Sequence, residues 1–266
     1  MSLNWLEFGL GLALLALILV ELRDPQFRRG WRLDPVRTRR NLGFGLASLV
    51  VMAVLKWTNA ALHELPIGRL LDWSRAGVLA PIACAMVAEF AGWVLHYVKH
   101  RNGFLWKFHF QHHRDHHYNL WLTAHTHGLE VVVSGMILAM LLSLVGFSVL
   151  TIEIYLVYYG FMKVLQHSAH DYSFGILDRI LVTPGYHRLH HEVNSACNFG
   201  ITWTLFDVIF RTVRWPLPSN PRVYGVSADD ALPFGFWEEM TFFVRRRPTS
   251  VTPRVEDASV TQSSSR

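Results

Sequence analysis

Fourteen of the fifteen histidines lie between His96 and His191, and only His63 falls outside that stretch. Eight of them form three boxes: His96 and His100 at H-x-x-x-H spacing, His109, His112 and His113 as H-x-x-H-H, and His187, His190 and His191 as H-x-x-H-H again. Imidazole is the commonest metal ligand. On a helix the positions i, i+3 and i+4 share a face, so each box can aim two or three ring nitrogens at one point. A divalent ion takes roughly four to six ligands in such a site, so eight converging imidazoles imply two metals.

Composition decides the solvent. With 51% hydrophobic and 17% charged residues the chain is too apolar for an average soluble domain. Leu3 to Val20 is apolar apart from Asn4 and Glu7, long enough to span a bilayer, and its basic residues follow it rather than precede it, so an anchor is expected and not a signal peptide. Asn41 to Asn59 is the second expected span and Val78 to Val98 the third. Leu129 to Gln166 is about twice the length of one span, and Gly146, Phe147 and Ser148 offer its natural turn, which predicts a helical hairpin.

Between Arg23 and Arg40 seven arginines stand against two aspartates, which places that segment on the cytoplasmic side and the amino terminus outside. The net charge of +5 thus reflects membrane topology; no nucleic-acid module is recognisable. The expected fold is an all-α integral membrane protein with about four transmembrane helices and a cytoplasmic, histidine-rich di-metal helical domain. Residues 1–77 form the membrane region, 78–214 the histidine-box domain and 215–266 an extension whose tail, from Pro248, is disordered by composition. His63, in the expected outer loop, lies on the wrong side for a role.

Further candidates follow from position. Glu89 is an acid inside a span, a functional candidate by default, and seven residues place it on the face of His96, where it is expected to orient a histidine ligand. His167 and His170, at i, i+3 spacing, arrive with the end of the hairpin and are expected as ligands, whereas His116 and His117 read as surface or supporting residues. Cys84 and Cys197 provide neither a disulfide framework nor a thiolate zinc site. Ile201 to Val213 is apolar but too short to span, and is expected in the membrane interface or capping the metal domain.

Taken together, the order H-x-x-x-H, H-x-x-H-H, a hairpin, a further histidine and then TP-x-x-H-R-L-H-H resembles the fatty acid hydroxylase superfamily, also called the sterol desaturase family. The resemblance covers roughly Ile82 to Thr212. TAHTHGLE stands where the family has an R-x-H-P-L-E-like stretch, and NFG followed by LFDVIFRT is similar to the family's L-W-D-x-x-F-G-T ending. Two positions depart from the pattern: His125 replaces the usual arginine and Arg211 the usual glycine. The positions matching the family's ligands are His96, His100, His109, His112, His113, His167, His187, His190 and His191, with His170 in a cluster whose spacing varies.

The resemblance implies a membrane-bound non-haem di-iron oxygenase. Its cofactors would be two Fe ions, with O2 as co-substrate, and it would hydroxylate or desaturate a C–H bond of a sterol-like or fatty acyl lipid. Glu89 and Asp207 would be the site's carboxylates, tuning the ligands from behind. No G-x-G-x-x-G is present, so electrons must come from an external ferredoxin or small cytochrome. Partners are then membrane lipids, the lipid substrate and that electron-transfer protein. Two rivals use similar residues: the acyl-chain desaturases, with different box spacing, and metal transporters, which place acids and histidines along a path through several spans. A zinc hydrolase would need H-E-x-x-H, which does not occur.

Overall fold

The computed structural model describes residues 3–23, 35–64, 69–193, 195–216, 223–226 and 235–245. Among them the chain forms nine α-helices and no sheet; isolated bridges pair Leu181 with Trp203 and Glu192 with Tyr224. In chain order the helices are α1 (Leu3–Glu21), α2 (Pro35–Glu64), α3 (Leu79–Arg101), α4 (Gly103–His113), α5 (Gly128–Val145) and α6 (Val149–Gln166). The shorter α7 (Pro184–His190), α8 (Leu205–Ile209) and α9 (Phe236–Arg245) follow.

Among the described residues three helices, α3, α5 and α6, are long and apolar enough to cross a membrane. They are the third expected span and the two arms of the expected hairpin. The first and second expected spans fall within α1 and α2, which are helical but are not among those three. Residues 24–34 of the arginine segment, the His63 side chain and the tail from Pro248 lie outside the described residues. Exposed apolar side chains recur at helical spacing, with Leu79, Ile82, Met86 and Phe90 on α3 and Leu129, Val133, Met136, Met140 and Leu144 on α5. Soluble proteins rarely show contiguous apolar faces of this kind, whereas a bilayer covers them.

The hairpin turns at Gly146, where φ is 105°, and a Cβ there would stand 2.0 Å from the Leu71 carbonyl oxygen, so only glycine fits. Trp73 and the Leu70 amide close the same end by donating to the carbonyls of Val145 and Leu144. Between the ends Cys84, Ala88, Leu142, Phe147, Ile152 and Tyr155 form the buried core.

At the other end of the bundle Glu21 of α1 accepts from the Ser168 hydroxyl and from the Ala169 amide at 2.7 Å. Arg40 of α2 pairs with Asp115 at 2.7 Å. The end of α1, the start of α2, the end of α3, the start of α5 and the end of α6 therefore share one end of the bundle, and that end carries the histidine boxes.

Candidate metal centre

Asn102 brings the first two boxes together. It ends α3, and its Oδ1 accepts from the amides of Phe104 and Leu105 at 2.9 and 3.1 Å, so the same residue caps α4. The chain reverses there and lays the second box beside the first. The third box enters on α7, started by Pro184 at a position that needs no amide donor.

Among the described residues nine histidines, all buried, converge in two abutting groups. One holds His96, His100, His109, His113 and His190; the other holds His112, His167, His187 and His191; in each, one ring nitrogen per residue lies within 4.8 Å of all the others. The His113 and His191 rings stack across the boundary at 4.3 Å between centroids. The H-x-x-H-H boxes do not each serve one point, as their spacing first suggests. Each straddles both groups: His109 and His113 go one way and His112 the other, while His187 and His191 oppose His190. Consecutive helical residues differ by about 100° in direction, so only the i, i+4 pair stays on one side.

Hydrogen bonds fix the tautomers. His112 Nδ1 donates to the His125 carbonyl at 3.3 Å and His167 Nδ1 to the Lys163 carbonyl at 2.7 Å. A carbonyl only accepts, so the ring proton is on Nδ1 and each Nε2 presents a lone pair; yet these two Nε2 atoms stand 3.3 Å apart. In the other group His96 Nδ1 donates to the Phe199 carbonyl at 2.9 Å and His109 Nδ1 to Glu130 Oε1 at 2.9 Å, with their Nε2 atoms 3.1 Å apart. His190 Nδ1 donates to the Cys197 carbonyl at 2.8 Å, and its buried Nε2 has no hydrogen-bond partner. Lone pairs do not face one another in a dry interior unless a cation lies between them. Nitrogens about 2.1 Å from a shared ion would stand about 3.0 to 3.4 Å apart, so the residues present fit a metal in each group.

Burial keeps the rings neutral, as ligands must be. It pushes His167 and His190 down to about 3, and pushes His112, His113, His187 and His191 well below the usual imidazole range, with neighbouring histidines adding to the effect in those four.

Other expected residues lie elsewhere. His170 joins neither group, because α6 has ended at Gln166 and the helical i, i+3 relation with His167 no longer holds. Among the described residues Glu89 accepts from no histidine. Its oxygens take the Tyr155 hydroxyl at 3.0 Å, the Thr202 hydroxyl at 2.6 Å and amide at 2.9 Å, and the Trp203 amide at 3.1 Å. Seven residues along α3 amount to about 10 Å, too far for it to reach His96. Asp207 acts at one remove: it accepts from Trp93, Tyr186, Thr212 and the amides of Phe199 and Gly200, holding the carbonyl of Phe199 to which His96 donates. His116 and His117 are exposed, as expected.

Among the described residues Glu130 is the carboxylate that touches a histidine of the cluster, and sequence reasoning passed over it. It accepts from His109 at 2.9 Å and from Lys99 at 2.8 Å. Its signal was present, since it is an acid at the mouth of a span, as Glu89 is an acid within one.

Among the described residues, a helical bundle with three helices long and apolar enough to cross a membrane thus carries paired histidine groups at one end. The fatty acid hydroxylase family model matches residues 81–212, and the chain belongs to the fatty acid hydroxylase superfamily. Over 192 residues it is 26% identical to the alkylglycerol monooxygenase of Caenorhabditis elegans, covering 70% of this chain and 35% of that protein. The alkylglycerol monooxygenase of Homo sapiens is 27% identical over 177 residues, 64% of this chain and 36% of that protein. The chain thus spans about a third of the length of these curated relatives. No solved structure matches it.

Proposed function

We propose that the protein is a membrane-bound di-iron monooxygenase that inserts one oxygen atom of O2 into a C–H bond of a bilayer lipid. The observation that carries this is the facing of protonless Nε2 atoms in two abutting histidine groups, which asks for two cations side by side. When bound, iron supplies the capacity to reduce dioxygen. The chain supplies the rest. The carbonyls of Phe199, His125, Lys163 and Cys197, with the Glu130 carboxylate, hold ring protons on Nδ1 and so keep Nε2 free for coordination. Glu89 and Asp207 are positioning residues that fix the segment from Phe199 to Trp203 against α3.

The ends of α3 and α6 bring the centre to the margin of the bilayer, which suits a substrate arriving sideways from the membrane. The balance RH + O2 + 2e⁻ + 2H⁺ → ROH + H2O needs an outside reductant, and a small ferredoxin or cytochrome meets it. An alkylglycerol is the first substrate to try, on the strength of the named relatives, and the cytoplasmic face is the expected side of the centre.

The test is turnover in vesicles under 18O2 with a reducing system and an alkylglycerol, a fatty acyl lipid or a sterol. A product two mass units heavier than its 16O counterpart supports hydroxylation. An alkene without label would mean desaturation, and no O2 consumption with any of the three would overturn the proposal.

A further inference from the structure

We propose that α9, which follows the family-matched stretch, is a latch on the four-histidine group, with Glu239 as its positioning residue; this rests on the metal reading above. A continuous chain of contacts leads inward from Glu239. Its Oε2 accepts from His125 Nε2 at 2.6 Å, and the His125 carbonyl accepts from His112 Nδ1 at 3.3 Å. Both partners of the His125–Glu239 pair are 1% exposed at the side chain.

Three distant segments meet at this carboxylate. Arg40 of α2 donates to its Oε1 at 3.2 Å and reaches Asp115 with its other nitrogen at 2.7 Å, Arg114 lies 3.7 Å away, and Gln111 of α4 donates to Oε2 at 3.4 Å. The basic neighbours hold the Glu239 carboxyl below the usual range against the opposing effect of burial.

The packing repeats the pattern. Phe44 lies 4.8 Å from the His125 ring and 4.9 Å from Phe236. A Cβ on Gly43 would come within 2.9 Å of the Phe236 ring. One turn along, His127 Nε2 donates to the Met240 carbonyl at 3.1 Å while its Nδ1 accepts from the Leu129 amide at 3.2 Å, capping α5. His125 and His127, which neither metal group takes, therefore act together to seat α9.

Removing the carboxylate frees the His125 ring, and with it the backbone that orients His112. The hydrogen-bonded path through His125 leads to the four-histidine group. Among the contacts that fix the five-histidine group, His96 leans on Phe199, His109 on Glu130 and His190 on Cys197, and none of these runs through α9. Losses of such supporting contacts typically cost about 10 to 100-fold in metal affinity.

The experiment measures iron per chain in the full-length protein in detergent during titration with a chelator, for wild type, Glu239→Gln, His125→Gln and the exposed control Trp237→Ala. The expected result is that both Glu239→Gln and His125→Gln surrender one iron at a chelator concentration about 10 to 100-fold lower than wild type and retain the other, while Trp237→Ala behaves as wild type. Should Glu239→Gln fail to accumulate, His125→Gln removes the same contact from the other side and decides alone. Wild-type retention in the variants, or loss of both irons together, overturns the latch. A wild type that holds no pair of irons fails the metal reading instead.

Discussion

Alanine at His190 is expected to abolish O2-dependent turnover and to strip iron from the five-histidine group, leaving about one iron per chain. His191→Ala is expected to do the same to the four-histidine group. The two residues are neighbours at the end of α7, yet they point into different groups, each buried among the other boxes. An exposed histidine with no such role would change stability by no more than about 0.5 kcal/mol on substitution and leave metal content alone. Insertion of the apolar helices depends on their hydrophobicity, so both variants should still reach the membrane. Iron analysis of the inserted variants checks this, and two irons retained in either would refute that residue's assignment.

Glu130→Gln should lower turnover and metal affinity by about 10 to 100-fold, and Glu130→Ala by more. Glutamine keeps an oxygen near His109 Nδ1 but loses the charge that polarises the ring and the partner that Lys99 meets at 2.8 Å. The change should appear chiefly in iron retention and kcat. Wild-type iron content and kcat in Glu130→Ala would show that the contact is incidental.

Glu130 also marks the limit of what sequence alone discloses. The nine clustered histidines were legible because helical spacing is a local property, and so was the hairpin, whose turn demands a glycine. His170 stands apart from both groups since the rule for i, i+3 holds only while the helix lasts, and α6 stops first. Between Glu89 and Glu130 the choice is tertiary: the reversal at Asn102 turns His109 toward the start of α5, and no periodicity within either segment records it. Glu239 stands 114 residues from His125 and lies beyond the family-matched stretch, so nothing in its local sequence connects it to the centre. The division of each H-x-x-H-H box between two groups follows from the helical angle, but it becomes visible only once His167 and the first box are in place on opposite sides.

The iron-to-chain ratio of wild-type protein purified from iron-replete cells, measured by elemental analysis and by native mass spectrometry, tests the central claim most directly. Two irons per chain are expected, one for each group of facing imidazole nitrogens. A single zinc, or a chain that binds no metal, would contradict it.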